Sequence, residues 1–212
     1  MKKETIREIV EWSACIIIAV VLALTIKFYV GTPTLVKHTS MYPTLKPNER
    51  LILNRMVRTS KKMPNRGDII TFEAPTTNFL TTEEFEESVI ARYENQPEGL
   101  WGKFSYYVLE INKISYIKRV IGLPGEHVKI ENGKVYINGQ ELDESAYLSK
   151  DVVTGSGDGV CLDLVVPDNC IFAMGDNRGK STDCRAFGCV PLDKIESKVW
   201  IRIWPINKIG NI

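Results

Sequence analysis

Mainly β, behind a single apolar helix at the N-terminus, is the fold class that this sequence predicts. Residues 12–30 form one apolar run, and beyond Pro33 the chain falls into short β-branched runs separated by turn residues. Two Asn-Gly pairs interrupt stretches that alternate apolar and polar.

The first run, WSACIIIAVVLALTIKFYV (Trp12 to Val30), is broken only by Ser13, Thr25 and Lys27. At ~1.5 Å rise per residue, roughly 19 residues approach the ~30 Å hydrocarbon thickness of a bilayer. Trp12 at one end and Phe28 with Tyr29 at the other suit the half-wetted interfaces, and Lys27 can extend its ammonium to the headgroups. A cleaved signal peptide would have a shorter apolar run and a small-residue end, whereas this one closes on FYVGTPT. The reading is a transmembrane anchor over 12–30 after a cytoplasmic segment 1–11. Lys2, Lys3 and Arg7 precede the span and Lys27 and Lys37 follow it, so charge alone orients it only slightly.

Residues 31–212 read as one β-rich domain of antiparallel sheets. Its strand candidates are LILNRMV, DIITFEAP, SYIKRVIGLPG, HVKIENGKVYINGQEL, CIFAMGD and KVWIRIWP. In HVKI-ENG-KVYI the Asn132-Gly133 pair predicts a tight hairpin, and Asn138-Gly139 a second turn. A helical insertion at about 76–105 breaks the pattern. In TTEEFEESVIARYEN, Thr81 and Glu84 have capping-box spacing, and Phe85, Val89 and Tyr93 recur every fourth residue on one helical face. The following QPEGLWGKFSYY reads as an aromatic loop, packed on the core or resting on lipid.

With 27 basic against 26 acidic residues the net charge is +1, which gives no field to draw the chain to nucleic acid, and no nucleic-acid partner is expected. Two histidines and five cysteines without a CxxC pair offer no zinc-site spacing, and no metal is assigned.

Three segments carry candidate chemistry. Ser40, in HTSMYPTL, lies about ten residues past the anchor, within roughly 35 Å of it even if fully extended. A serine hydroxyl must lose its proton to a base as it attacks. His38 and His127 are candidates, and so is Lys118 in SYIKRVIGLPGE, where an apolar setting would disfavour the charged ammonium. Alternation puts Tyr116, Lys118 and Val120 on one strand face and Ile117, Arg119 and Ile121 on the other. GDNRGKSTDCRAFG packs Asp176, Asn177, Arg178, Ser181, Asp183 and Arg185 into ten residues, a density that suits a loop bracing a site. Taken singly, each segment also reads as an ordinary turn, surface strand or solvated loop.

In this order and behind an apolar span, the segments closely resemble bacterial type I signal peptidases. The resemblance rests on SM-x-PTL (Ser40 to Leu45), RGDIITF (Arg66 to Phe72), YIKRVIGLPGE (Tyr116 to Glu126) and GDNR-x-x-S-x-D-x-R-x-FG (Gly175 to Gly188), and it extends over nearly the whole chain. It implies a serine endopeptidase that removes signal peptides after small residues, A-x-A-like, by a Ser-Lys dyad and without a cofactor. Ser40 matches the nucleophile, Lys118 the general base, Ser181 the hydroxyl orienting the lysine, and Asp183 with Arg185 the supporting ion pair. Met41, Leu45, Tyr116 and Ile117 fall where the family lines its substrate pockets. The implied partners are preprotein signal peptides and membrane lipid, with contact to the secretion machinery open. The implied location is the plasma membrane, single-pass, with the peptidase domain on the extracytoplasmic side. The rival reading is a membrane-tethered pilin or secretion assembly factor on the same scaffold, with narrow or no proteolysis.

Two departures stand out. His38 occupies a position where the family often has Gly or Ser, and either an oxyanion donor or a structural imidazole fits it. Outside the membrane, Cys161 with Cys170 and Cys184 with Cys189 could form disulfides or remain buried thiols, whereas Cys15 lies in the span.

Overall fold

The computed structural model describes residues 3–60, 62–94, 97–157 and 159–212. Helix α1 (Lys3–Tyr29) includes the apolar run and extends it N-terminally, where Arg7 donates to Glu11 one turn on at 2.7 Å. From Thr5 to Tyr29 it is long and apolar enough to cross a membrane, and no part of its most apolar window is buried in protein.

The chain then runs through β1 (Gly31–Leu35), β2 (Arg50–Asn54), α2 (Met56–Ser60), β3 (Ile69–Glu73), α3 (Thr82–Glu87) and α4 (Gly99–Phe104). A π-helical turn (Ser105–Leu109) precedes β4 (Ser115–Gly122), β5 (His127–Glu131), β6 (Lys134–Ile137), β7 (Gln140–Glu141), β8 (Asp163–Val165) and β9 (Cys170–Met174). Last come α5 (Cys184–Phe187), β10 (Val190–Pro191) and β11 (Ile195–Trp204). Two antiparallel sheets result, one of seven strands in the order β1-β2-β11-β3-β4-β9-β10 and one of four, β7-β6-β5-β8. The mainly β expectation holds.

The hairpin forms as expected, with Val128 opposite Ile137 and Glu131 opposite Lys134. Asn132 and Gly133, and again Asn138 and Gly139, all have positive φ, the backbone that two-residue hairpin turns demand and that these residue types tolerate. Alternate residues Val128, Val135 and Ile137 reach the core that the small sheet shares with β4 and β9. A second apolar cluster, holding Met41, Leu45, Leu51, Leu53, Ile69 and Val199, fills the curl of the large sheet at its β1 end.

Three strands lacked a readable signal. GTPTL forms β1 despite its Gly and Pro because it is an edge strand, where proline costs no ladder bond; β8 and β10 have only three and two residues. Conversely, LILNRMV is a strand only to Asn54, and Met56 opens α2.

The insertion differs from its expected form. The Thr81 capping box is present, with both reciprocal bonds, but the helix stops at Glu87 because Ser88 turns extended. Val89 and Tyr93 still reach the core, from extended chain, whose Ile90 pairs with Cys189. The segment expected as a loop is instead helical from Gly99 to Leu109. Its tyrosines turn inward, Tyr106 donating to the Glu73 carboxylate at 3.1 Å, whereas Leu100 and Trp101 face outward, 91% and 74% exposed. Gln96, at the start of that segment, and Asn95, at the end of the one before it, lie outside the described residues.

Candidate active site

Strand order creates an opening. β3 pairs along its whole length with the first part of β4, Ile69 opposite Arg119 to Glu73 opposite Ser115, but β9 reaches β4 only from Arg119 onward. Residues 115–118 therefore keep one unpaired edge among the described residues. β1 ends the sheet order, so its outer edge is unpaired too. Both edges border one cleft of about 890 Å³, lined by residues 32–40 on one side and 113–118 on the other.

Ser40 and Lys118 both line this cleft. Lys118 is 3% exposed, because the strand around it is covered on both faces. Burial lowers its ammonium from the usual 10.5 to about 8; the Asp183 carboxylate and Cys184 push the other way and Arg185 with the burial. The amine also lies 5.6 Å from the Tyr116 ring centre.

Ser181 is brought to the same place. Its Oγ is shut off from solvent and has no hydrogen-bond partner among the described residues. Gly175 is wedged between it and Ser40, so that a Cβ there would run into both Ser181 Oγ and the Ser40 carbonyl. Only a glycine lets the two chain segments come this close.

Asp183 and Arg185 form a fully buried pair, with Arg185 Nε and Nη2 donating to the carboxylate at 2.8 and 2.9 Å. The Gly175 N–H also donates to Asp183 at 3.0 Å, which ties the pair to the strand end beside Ser40. Burial alone would raise the Asp183 pKa, but the guanidinium, that N–H and the Lys118 charge together lower it.

Of the four expected pocket residues, Tyr116 and Ile117 line the cleft. Met41 and Leu45 differ from that expectation: both are fully buried in the core beneath it, because the turn after Ser40 folds them under β2. His38 is exposed on the cleft wall, and His127 is remote, bonded to Asp163 at 2.6 Å on the small sheet. The cysteines outside α1 are free and buried, so neither disulfide exists. Cys184 Sγ accepts from the Ala173 N–H at 3.1 Å, and burial holds the Cys184 and Cys189 thiols well above their usual pKa.

Sequence reasoning read the loop over 176–185 as a brace but missed what it holds. Arg119, which reads as a surface neighbour of Lys118, is buried and bidentate to Asp176 at 2.8 and 2.7 Å. Arg178 is buried against Glu144 and Thr154. Asn177 donates its backbone N–H to the Ser40 carbonyl at 3.0 Å and its Nδ2 to the Thr39 carbonyl at 3.1 Å. For Arg119 the available signal was that it lies on the opposite strand face from Lys118, since a buried strand must bury both.

A profile described as signal peptidase, peptidase S26, matches residues 9–204. Signal peptidase I S of Bacillus subtilis (strain 168) is 34% identical over 99% of this chain and 98% of its own length. A probable signal peptidase I-2 of Synechocystis is 30% identical over 94% of this chain and 75% of its own. A crystal structure of a signal peptidase I from Enterococcus faecalis V583 covers 65% of this chain and 97% of its own at 28% identity, with a TM-score of 0.40. With a profile match over nearly the whole chain and relatives of this identity along it, the chain belongs to the signal peptidase family, peptidase S26, the endopeptidases that remove signal peptides.

Proposed function

We propose that this protein is a membrane-tethered serine endopeptidase that cuts preproteins at the outer face of the plasma membrane, with Ser40 as nucleophile and Lys118 as general base. The observation that carries this reading is a lysine buried in the same cleft as the serine, its pKa brought down to about 8. A lysine so placed is partly neutral near pH 7 to 8 and can accept a proton.

In the reaction, the neutral Lys118 amine takes the Ser40 hydroxyl proton while Oγ bonds to the scissile carbonyl carbon. The oxyanion that forms is held by the Ser40 backbone N–H. Lys118 then protonates the leaving amine as the peptide bond breaks, and water, deprotonated by the same lysine, hydrolyses the acyl-enzyme. The Ser181 hydroxyl, buried and otherwise unpartnered, accepts from the amine and holds it toward Ser40.

An extended substrate segment has two open strand edges to pair with, at β1 with the residues after it and at 115–118. Such pairing would leave side chains alternately directed into shallow pockets at Tyr116 and Ile117, which suits small residues of the A-x-A kind. Helix α1 supplies the tether, with the peptidase domain outside and 1–11 inside. Contact with the secretion machinery belongs to the same reading. The test is incubation of the protein, reconstituted in vesicles, with a preprotein and mapping of the cut by mass spectrometry. Cleavage after a small residue at the signal-peptide end supports it, and an intact preprotein contradicts it.

A further inference from the structure

The end of α1 is fastened to the insertion rather than left as a free stalk. Glu110, just after the π-helical turn, pairs with Lys27 near the end of α1 at 3.1 Å and with the buried Arg55 after β2. The Arg58 guanidinium lies over the Phe28 ring at 4.6 Å and over the Tyr107 ring at 5.7 Å, so an α1 residue and an insertion residue share one cation. Although burial alone would raise the Glu110 pKa, Arg55 and Lys27 lower it, so the collar keeps its charge at neutral pH.

The π-helical turn packs on α1 and α4 packs on that turn, so this collar carries α4 toward the end of the anchor. Leu100 and Trp101 are the outermost side chains there, Trp101 is packed at 5.7 Å from Phe104, and Lys103 lies between them in sequence. Ile111 and Ile114, on either side of Lys113 in sequence, are exposed as well. An exposed apolar set with a tryptophan and a lysine, joined through the π-helical turn to a helix long and apolar enough to cross a bilayer, has the composition of an interfacial segment.

The geometry points to the insertion as a second membrane contact: Leu100, Trp101 and Phe104 seat in the lipid interface of the leaflet through which α1 emerges, and the Lys27–Glu110–Arg55 collar fixes the peptidase domain at that height. It rests on the reading of α1 as a membrane anchor. A consequence concerns substrate. Arg55, Glu110 and Lys113 also line the far end of the cleft from Ser40, so the cleft opens at the lipid surface, where a membrane-held signal peptide ends.

The test uses the full chain in phosphatidylcholine vesicles and single-tryptophan variants. One keeps Trp101, with Trp12, Trp200 and Trp204 changed to Phe; the other keeps Trp12. Brominated phosphatidylcholine is expected to quench Trp101 to roughly half its intensity, as tryptophans in the interface are, with aqueous iodide having little effect. Adding Leu100→Asp is expected to abolish the bromolipid quenching and red-shift the emission, and Glu110→Gln to reduce the quenching. Trp12 quenched with Trp101 open to iodide and untouched by bromolipid overturns the membrane seat alone. Neither residue quenched overturns the anchor reading with it. Protection of Trp101 from iodide that grows with protein-to-lipid ratio, without bromolipid quenching, assigns the patch to a second copy and also overturns it. Preprotein cleavage by both variants serves as the folding control and tests the catalytic reading separately.

Discussion

Asn177 grips the chain on both sides of the Ser40 backbone N–H, through the Thr39 carbonyl at 3.1 Å and the Ser40 carbonyl at 3.0 Å. In a trans peptide the C=O and the next N–H point in opposite directions. Fixing the Thr39 oxygen therefore fixes where the Ser40 N–H aims. The Tyr42 N–H donates to the same oxygen at 3.0 Å, so the plane is held by two bonds. Replacing Asn177 by Ala removes the side-chain bond and leaves the backbone one. The expected result is a fall in kcat of ~10-fold or more with KM little changed, since a misaimed oxyanion donor matters most in the transition state. Steady-state kinetics on a signal-peptide substrate check it; a change in KM alone contradicts it.

Lys118 makes both activity and stability depend on pH. Activity is expected to rise as the amine loses its proton, with an apparent pKa near 8. The sign for stability follows from protons bound. The folded pKa is depressed from 10.5, so between pH 8 and 10.5 the unfolded chain keeps a proton that the folded chain has lost. Stability should climb with pH across that window, by up to ~3 kcal/mol. Below about pH 8 both states are protonated and the cost of burying the ammonium is present in full. Lys118→Met should therefore be more stable than wild type at pH 7, with the difference shrinking by pH 10. Urea unfolding at the two pH values checks this, and a difference that does not vary with pH contradicts it.

The Asp183–Arg185 pair calls for a double-mutant cycle. Removing either charge strands the other in a dry site, and Asp183→Asn or Arg185→Met should each cost about 3–5 kcal/mol. The double variant should cost less than the sum of the two, since no charge is left unpaired. Thermal unfolding of the four proteins measures it, and simple additivity contradicts it.

The four buried cysteines outside α1 predict indifference to redox reagents. Cys161, Cys170, Cys184 and Cys189 are free, and burial raises their thiol pKa values, to about 12 for Cys161. The folded protein should show no change in thermal midpoint with a reductant, and these thiols should react with an aromatic disulfide reagent only on unfolding. A reductant-sensitive midpoint contradicts this.

Much of the fold was legible because its signals are local. A long apolar run, two Asn-Gly turns and a Thr81-to-Glu84 capping box each specify their structure within a few residues. The stop at Ser88 was not legible, because pairing of Ile90 with Cys189 decides it, about a hundred residues away in sequence. The helix at Gly99 was hidden by its two glycines, and tertiary contacts such as Tyr106 with Glu73 hold it in place. Within the site, the types and order of Ser40, Lys118, Ser181, Asp183 and Arg185 were readable. That Arg119 is buried against Asp176 was not, because a charged residue looks solvated until its partner is known. The inward turn of Met41 and Leu45 was hidden for the converse reason: an apolar side chain beside a nucleophile suits a pocket wall and a core equally well.

Ser181→Ala separates a positioning role from a structural one. The unpartnered buried hydroxyl contributes little to stability, so its loss should leave the thermal midpoint unchanged or slightly higher. If it orients the Lys118 amine, kcat should fall and the pH profile should shift. Threonine, which keeps the hydroxyl, should restore part of the activity. Unchanged kinetics contradict the role.

The central claim is that Ser40 and Lys118 act together on a peptide bond, and one measurement tests it most directly. Wild type, Ser40→Ala and Lys118→Met are incubated with the same preprotein, and products are mapped by mass spectrometry over time. The account predicts cleavage at the end of the signal peptide by wild type only, with both variants reduced by a factor on the order of 10³ or more. Cleavage at the same bond and a comparable rate by either variant would contradict it.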